Sequence, residues 1–368
     1  MKNVKLRTFV LLIPVILWAL LTAFAWFAPV QQTSEAERRP LAQMPEFSVD
    51  MLWNGSFMEK FETYSLDQFP LRDSFRKIKS LFHFYGLQQS DNNDIYIADG
   101  YAVKQEYPMH PESISHALNR FSHLYDKYLA SSGSAVHMAI IPDKGYYLAE
   151  GSGHLTMDYE KLFSTFETEL PWADMIDLTT SLSAEDYYRT DIHWRQEKLL
   201  KAAQTLCHAL GVTAPKAEDY TVTALQRPFY GVYYGQAALP MNPETMYLLE
   251  SELLKNCQVY DYESGQYTDV YNMEKRSSRD LYDVFLSGSR SLLTIENPDA
   301  ATDRELIIFR DSFGSAIAPL LVQDYAKVTL VDIRYIQIDV LDRFLEFNGQ
   351  DVLMLYSVPV LNNSQTIK

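Results

Sequence analysis

The chain has 368 residues and a formal net charge of −16, and 47% of its residues are hydrophobic. This length and apolar content predict a globular protein with a sizeable core rather than a disordered chain. The acidic balance argues against nucleic acid as a partner, because proteins bind phosphate backbones mainly through Lys and Arg. The sequence also lacks a P-loop and a GxGxxG motif, so the common nucleotide-binding signatures are absent.

The N-terminus carries a long apolar segment. Residues 8–30 contain no charged side chain, and about 20 such residues cross a bilayer core. Lys2, Lys5 and Arg7 precede the segment, so the positive-inside rule predicts a cytoplasmic N-terminus. A cleaved signal peptide is the alternative, although its apolar core is usually only about 7–15 residues long. We therefore expect residues 1–30 to be a cytoplasmic stub and a single transmembrane helix in the cell membrane, with the rest extracytoplasmic.

The next residues predict a tether and a helical lead-in to the main domain. Residues 31–50 lack helical or strand periodicity and contain Pro40 and Pro45, which predicts an extracytoplasmic tether. Apolar and aromatic residues then recur at three- and four-residue spacing as far as residue 86, with a break at Pro70, and this predicts two amphipathic helices. Two short apolar runs around Asp99-Gly100 predict a β-hairpin.

Helical and strand patterns alternate through the rest of the chain. The predicted helices cover residues 111–130, 158–170, 195–211 and 315–326, and the predicted strands cover residues 135–141, 173–178, 305–310, 327–334 and 351–357. Gly211 closes the third of these helices. Strands that alternate with helices predict an α/β fold with a parallel sheet flanked by helices. We expect residues 51–368 to form this single domain.

Neither the cysteines nor the histidines predict a metal site. Cys207 and Cys257 have no CxxC spacing, and Cys207 lies in a helical pattern where a buried apolar role is more frequent than a disulfide half. No HExxH motif is present and the other histidines are scattered along the sequence. An oxidising compartment is neither required nor excluded.

Ser312 follows the apolar run 306–309, where a strand is predicted to turn into a helix. Open α/β sheets carry their sites at the carboxyl ends of their strands. The Ser312 hydroxyl can be exposed there, and the N–H groups of Ser312 and its successors can face a developing oxyanion. The structural alternative is that Asp311 and Ser312 only cap the following helix.

Asp191 and His193 form a second chemical motif. They lie two positions apart, so in an extended segment both side chains leave on the same side and the carboxylate can fix the tautomer of the imidazole. His193 is then free to take the proton of Ser312. A pair of metal ligands is the alternative, and a lone Asp-x-His also arises by chance. These residues predict a Ser-His-Asp site without establishing it.

The motifs resemble a known family. TDIHW at residues 190–194, DSFG at 311–314 and VDIRY at 331–335 are similar to the DHHW and alginate O-acetyltransferase (AlgJ/AlgX-like) group of SGNH-hydrolase-like proteins. ERRPLAQMPEF at 37–47, DQFPLRDSF at 67–75 and IPDK at 141–144 extend the resemblance over nearly all of the chain after the apolar segment.

The resemblance implies an SGNH-like catalytic domain over residues 51–368, with Ser312, His193 and Asp191 as its triad in permuted order. The sequence departs from the family at Ile192, where the motif often has a second histidine. The expected Gly-Asn pair before the serine strand is also missing. The candidate oxyanion donors are therefore Gly288, Ser289, Arg310 and Arg334, which could instead be a loop turn and surface cations.

The resemblance further implies O-acetylation of a cell-envelope or exopolysaccharide through an acyl-enzyme. No cofactor is implied, and the acetyl donor is expected to be a multispanning membrane acyltransferase. Trp194, Tyr187 and Tyr188 could line a cleft that stacks sugars and excludes water, although core packing is as frequent a role for such aromatics. An acetyl-glycan esterase and a non-catalytic glycan-binding assembly factor are the alternatives.

Overall fold

The computed structural model describes the backbone of residues 2–34 and 36–368, and it describes their side chains except those of residues 2–11 and 26. The chain forms two compact units. One contains residues 1–92 and 234–240, and the other contains residues 93–233 and 241–368. The predicted divisions at residues 30 and 50 stay predictions.

The first unit is mainly helical. Its elements in chain order are α1 (Lys2–Phe27), β1 (Thr33–Ser34), β2 (Arg39–Pro40), α2 (Val49–Trp53), α3 (Ser56–Asp67) and α4 (Arg72–Leu81). A further helical turn, Phe82–Gly86, continues directly from α4. The predicted break at Pro70 is confirmed, because the chain is not helical between α3 and α4.

Ion pairs hold the connections of this unit. The Arg39 guanidinium donates two hydrogen bonds to Asp67, at 2.8 and 2.6 Å, and the Ala42 N–H donates to the same carboxylate at 2.9 Å. The side chains of Arg72 and Glu37 are 2.6 Å apart. Residues of the predicted tether therefore hydrogen-bond to α3 and form an ion pair with α4. The Arg39 contact and the Ala42 N–H hold the pKa of Asp67 at about 2.

The predicted membrane segment partly lies outside the described residues, because the side chains of residues 8–11 and 26 are not described. Among the residues that are described, no helix is long and apolar enough to span a bilayer. The transmembrane helix therefore stays a prediction.

The second unit alternates strands and helices. Its elements up to residue 229 are β3 (Ile95–Ala98), β4 (Tyr101–Lys104), α5 (Pro111–Leu124), β5 (Val136–Ile141), α6 (Lys144–Leu148), α7 (Tyr159–Glu169), β6 (Asp174–Ile176), α8 (Leu200–Ala209) and β7 (Thr221–Phe229). The later elements of the chain are α9 (Val232–Ala237), β8 (Glu244–Glu250), α10 (Glu252–Asn256), β9 (Gln258–Asp261), β10 (Gln266–Asp269), β11 (Leu292–Glu296), β12 (Glu305–Arg310), α11 (Gly314–Ile317), β13 (Lys327–Val331), β14 (Asp351–Ser357) and α12 (Val358–Asn362).

The main sheet has the strand order β10-β9-β11-β13-β12-β14-β5-β6 in the described chain. The five strands from β13 to β6 are parallel, whereas β11, β9 and β10 pair antiparallel. The prediction of an α/β sheet flanked by helices is confirmed, but the expectation of a parallel sheet is correct only for these five strands. β12 lies inside the sheet, between β13 and β14, and carries the segment that ends at Ser312.

The parallel strands are apolar because the sheet is covered on both faces. Every residue of β5 is buried, and Leu306, Ile308 and Leu353 pack in one core cluster. Ile307 and Met354 pack in a second cluster. Alternate residues of β12 thus point into different clusters, as the two-residue period of a strand requires.

The predicted elements are mostly present. Asp99 and Gly100 both have positive φ, as the predicted two-residue hairpin between β3 and β4 requires. The sequence analysis did not predict the antiparallel pairs β7–β8 and β9–β10. These strands are half exposed or contain Pro228, so their alternation pattern is weak.

Candidate active site

Ser312 lies in a tight turn between β12 and α11. Asp311 holds this turn: its Oδ1 accepts the Phe313 N–H at 3.0 Å, and its carbonyl accepts the Gly314 N–H at 3.2 Å. Its Oδ2 accepts both the N–H and the hydroxyl of Ser357, at 2.8 and 2.6 Å. Asp311 is fully buried. Asp311 thus shapes the turn through both its side chain and its carbonyl, and the Ser312 hydroxyl is not needed as a helix cap.

The Ser312 hydroxyl faces an imidazole. His193 Nε2 lies 2.8 Å from Ser312 Oγ, and His193 Nδ1 lies 2.6 Å from Asp191 Oδ1. Asp191 is 0% exposed and His193 is 8% exposed. Because the buried carboxylate can only accept, Nδ1 carries the proton and Nε2 is left to accept the serine proton. The three predicted residues form one hydrogen-bonded row.

The backbone around Asp191 and His193 is bent, which corrects the expected extended segment. Tyr187 and Trp194 form an isolated antiparallel bridge, and the Tyr188 N–H donates to the His193 carbonyl at 3.0 Å. Within this loop the His193 N–H donates to Asp191 Oδ1 at 3.1 Å. An Asx-type turn, rather than strand alternation, therefore brings the two side chains together.

Distant segments hold the same loop. The Val232 N–H donates to Asp191 Oδ2 at 2.7 Å, so both carboxylate oxygens have partners. Glu244 accepts the N–H groups of Arg189 and Thr190, each at 2.9 Å. The Thr190 hydroxyl also donates to Glu244 at 2.9 Å. These partners follow the motif by about 40 to 55 residues, and the sequence contains no local signal for them.

Aromatic rings fix the plane of the imidazole. The Tyr282 ring stacks on His193, with 4.0 Å between centroids and 12° between planes. The Phe313 ring contacts the imidazole at 5.1 Å, and Trp194 Nε1 donates to the Phe313 carbonyl at 3.1 Å. His193 therefore has little freedom to rotate away from Ser312. No motif in the sequence indicates this role for Tyr282.

A buried lysine also supports the loop. Lys144 donates to the carbonyls of Ala102, Tyr188 and Arg189, at 2.5, 2.9 and 3.3 Å. Burial lowers the pKa of Lys144 to about 7, although the nearby charge of Asp191 opposes this shift. Lys144 belongs to the IPDK motif, which the sequence analysis used only as part of a resemblance. Its structural role is to hold the backbone that precedes Asp191.

The three predicted sugar-stacking aromatics lie in the core. Trp194, Tyr187 and Tyr188 are each 0% exposed. The Tyr187 hydroxyl donates to the Pro142 carbonyl, and the Tyr188 ring packs edge-on against Phe229. The prediction that these rings line a sugar-binding cleft is therefore wrong, because none presents a face to solvent. They instead build the loop that carries His193.

Two predicted oxyanion donors lie in the loop after Tyr282. Gly288 is buried with a positive φ of 79°, and its N–H donates to the Phe285 carbonyl at 3.1 Å. That N–H is therefore occupied by the loop itself, so Gly288 is corrected to a turn residue. A side chain at Gly288 would collide with the Asp283 carboxylate. Ser289 is exposed beside it.

The two arginine candidates lie beside a buried carboxylate. Arg334 donates to Asp332 through Nε and Nη2, at 2.9 and 2.7 Å. Arg310 is buried, and its Nη1 donates to the Asp311 carbonyl at 3.2 Å. Burial is the largest single influence on the pKa of each arginine. It lowers the pKa of Arg310, whereas the hydrogen bonds to Asp332 outweigh it and raise the pKa of Arg334. In the described chain neither arginine hydrogen-bonds to Ser312.

One backbone donor of the turn is left for an oxyanion. The N–H groups of Phe313 and Gly314 are used by Asp311, and the Ser315 N–H donates to the Ser312 carbonyl at 3.2 Å. The expectation that several successors of Ser312 face the oxyanion is therefore wrong. Within the described residues, the Ser312 N–H has no acceptor and is the remaining candidate of this turn.

The described residues include two buried thiols and no cluster of metal-binding side chains. Cys207 and Cys257 are both buried and free, and burial raises the pKa of the two thiols to about 12 and about 11. Cys207 is thus the buried side chain that its helical pattern predicted. No group of three or more His, Cys, Asp or Glu side chains in the described chain is arranged to hold a metal ion.

A family model supports the resemblance. The model of the DHHW protein family matches residues 161–331. This range contains the TDIHW and DSFG motifs and reaches the first residue of VDIRY, so the predicted resemblance is confirmed over the region that carries the proposed triad. None of the curated proteins matches the chain.

Solved structures share the fold. A DHHW family protein from Eubacterium siraeum is 21% identical with a TM-score of 0.61, and 75% of this chain aligns with 95% of that one. PatB1 from Bacillus cereus is 19% identical with a TM-score of 0.59, over 73% of this chain and 96% of its own. PatB1 was also solved with a sulfonyl adduct, at 18% identity and a TM-score of 0.58, over 73% and 95% of the two chains. These TM-scores show a common fold.

Lys144 predicts a pH-dependent contribution to stability. Its folded pKa of about 7 lies below the ordinary value of about 10.4. At pH values between these two pKa values, the lysine therefore keeps its proton in the unfolded state but has lost it in the folded state. Relative to Lys144→Met, the wild type should gain stability as pH rises from 7 towards 10, by at most about 1.4 kcal/mol per pH unit.

Urea unfolding of both proteins across this pH range measures the difference. Lys161→Met, which removes an exposed lysine on α7, controls for the loss of one positive charge. Parallel stability curves for wild type and Lys144→Met would contradict a lowered pKa for this lysine.

Proposed function

We propose that this DHHW-type chain is an extracytoplasmic serine O-acetyltransferase that acts on a cell-envelope polysaccharide or exopolysaccharide. The observation that carries the proposal is the row formed by Ser312, His193 and Asp191, with hydrogen-bonded distances of 2.8 and 2.6 Å. A serine hydroxyl needs an adjacent base to become a nucleophile, and the base needs a partner that orients it. The family match and the shared fold support this reading of the geometry.

In the first half-reaction, His193 Nε2 takes the proton of Ser312 as Oγ attacks the carbonyl carbon of the acetyl donor. The carbonyl oxygen becomes an oxyanion, and the Ser312 N–H is placed to donate to it. The bond from the acetyl carbon to the leaving oxygen then breaks, and His193 returns its proton to that oxygen. The product is an acetyl ester on Ser312, while Asp191 stays ionised and stabilises the imidazolium.

In the second half-reaction, a sugar hydroxyl attacks the acetyl carbon as His193 takes the hydroxyl proton. The bond between the acetyl carbon and Ser312 Oγ breaks, and Oγ regains its proton from His193. The acceptor leaves as an O-acetyl sugar and the enzyme is restored. No cofactor takes part in either step.

The sulfonyl adduct of PatB1 suggests a probe for this mechanism. Sulfonyl electrophiles form covalent products with activated nucleophiles, and Ser312 is the nucleophile that we propose here. Phenylmethanesulfonyl fluoride should therefore sulfonylate this chain at Ser312 and stop its turnover.

Ser312→Ala should abolish both the sulfonyl adduct and the release of acetate from p-nitrophenyl acetate, because no nucleophile remains beside His193. We expect a loss of at least about 10³-fold in kcat. Intact-protein mass spectrometry and acetate release measure the two effects. Ser164→Ala, which removes an exposed serine on α7, is the matched control. Unchanged labelling and turnover in Ser312→Ala would remove this residue from the nucleophile role.

Two other functions use the same residues. An acetyl-glycan esterase would pass the acetyl group of the acyl-enzyme to water, and a binding factor would form no acyl-enzyme. We favour transfer because the family resemblance implies it. With an acetyl-donor ester and an acceptor oligosaccharide present, mass spectrometry should detect acetylated oligosaccharide. Free acetate without acetylated sugar would instead indicate hydrolysis, and the absence of any serine adduct would favour a binding factor.

The proposal includes a membrane location. Residues 8–30 carry no charge and follow Lys2, Lys5 and Arg7, which supports a single anchor with a cytoplasmic N-terminus. A multispanning membrane acyltransferase in the same bilayer is the proposed acetyl donor. Alkaline carbonate extraction of cells that express the chain should leave it in the membrane pellet at full length. A shortened, extractable chain would contradict the anchor and indicate a cleaved signal peptide.

A further inference from the structure

Helix α4 and the turn that follows it carry an exposed apolar stripe. The stripe consists of Leu71, Phe75, Ile78, Phe82 and Tyr85, at spacings of four, three, four and three residues. This spacing places the four side chains from Phe75 to Tyr85 on one helical face, and Leu71 immediately precedes α4. They are 43% to 78% exposed. Such a continuous apolar face on a domain surface usually marks a surface that binds something.

The opposite face of α4 is fixed, so the stripe cannot turn inward. The buried Ser80 hydroxyl donates to the Ala237 carbonyl at 2.7 Å, and Arg76 Nη2 donates to the Gly235 carbonyl at 2.7 Å. Arg76 also lies 3.2 Å from Glu37. These contacts are all within the first unit.

The charge of α4 differs from that of the chain. The helix contains four basic residues, Arg72, Arg76, Lys77 and Lys79, but only one acidic residue, Asp73, although the whole chain carries −16. Lys79 is exposed and lies next to Ile78 of the stripe. A basic helix with an apolar aromatic face is typical of a segment that lies in a bilayer surface, because the cations bind lipid phosphates while the rings enter the headgroup region.

The beginning of α4 also lies near the end of α1. The Gln68 side chain accepts the Gln31 N–H at 2.9 Å and donates to the Gln31 carbonyl at 2.8 Å. Phe24 of α1 and Leu71 of the stripe line one cavity of about 400 Å³. The apolar residues of α1 from Leu12 onwards are themselves largely exposed. Two exposed apolar surfaces thus meet within one unit, which favours a common lipid environment.

We propose that the apolar stripe of α4 lies in the headgroup region of a bilayer with anionic lipids, with Lys79 binding lipid phosphates. The occupant of this surface is therefore the membrane rather than a second copy of the chain or a partner protein. The inference rests on the proposed membrane location, but it is independent of the chemistry at Ser312.

Nitroxide scanning of the full-length chain tests this proposal. Cysteines replace Phe75, Ile78, Phe82 and Tyr85 one at a time, and the chain is reconstituted in vesicles of phosphatidylcholine and phosphatidylglycerol. Power-saturation EPR then compares collisions with oxygen, which enters lipid, and with a water-soluble nickel chelate. The stripe labels should show a severalfold higher oxygen-to-nickel ratio than a label at Asp73→Cys shows in the same vesicles.

Asp73→Cys is the matched control, because Asp73 is exposed on the opposite side of α4. Its label should stay accessible to nickel, as should a label at Tyr267→Cys in the second unit, where the side chain is 53% exposed. The native Cys207 and Cys257 are buried, and the unmutated chain treated with the same reagent gives the background. Circular dichroism confirms that each variant is folded, and turnover of a soluble ester is measured separately.

The possible results distinguish three occupants of the stripe: lipid, a second copy of the chain and a partner protein. The proposal would be overturned if the stripe labels were as accessible to nickel as the label at Asp73→Cys while the chain pellets with the vesicles. Dipolar broadening between labels would indicate a second copy, and protection only in the presence of a multispanning protein would indicate a protein partner. Both of these results would overturn the lipid assignment. A chain that does not pellet with vesicles would overturn the anchor as well, whereas loss of ester turnover would concern only the proposed chemistry.

Discussion

The hydrogen bonds of the Asp191 carboxylate are the constraint on which the rest of the site depends. This side chain is fully buried, so every hydrogen bond that it lacked would cost free energy. It accepts the His193 N–H, the His193 imidazole and the Val232 N–H. All three hydrogen bonds of the carboxylate form only when these donors converge on it. The conformation of the loop and the orientation of the imidazole therefore depend on each other. The distance of 2.8 Å from His193 to Ser312 follows from that arrangement.

Buried charges around this loop compensate one another. Removing Lys144 from water is costly, and its hydrogen bonds to three carbonyls recover part of that cost while fixing the backbone before Asp191. The attraction between Lys144 and Asp191 acts in the same direction. Glu244 accepts the N–H groups of Arg189 and Thr190 in the same backbone segment. Charged side chains thus position peptide groups here, although neither Lys144 nor Glu244 touches Ser312 in the described structure.

The sequence predicted those features that depend on local patterns. The apolar strands around β12, the break at Pro70 and the turn at Ser312 all follow from periodicity or from turn residues. The pairing of Asp191 with His193 was predicted for the wrong geometric reason, because an Asx-type turn replaces the expected strand. Contacts between residues far apart in sequence, such as Val232 with Asp191, carry no local signal. Trp194 shows the same limit, since an aromatic residue beside a motif has the same pattern whether it binds a sugar or fills the core.

Because Trp194 is buried, it cannot contact the sugar acceptor of the proposed function directly. Its ring fixes Phe313 through the carbonyl hydrogen bond, and Phe313 and Tyr282 fix the imidazole. These aromatic residues therefore hold the imidazole beside Ser312, and in the proposed mechanism a substitution there would disturb proton transfer. Under the proposed function, sugar contacts would instead come from exposed residues around the half-buried Ser312 or from a partner. In the proposed mechanism, the proton-transfer geometry and the choice of acceptor could then vary independently, because different side chains would determine them.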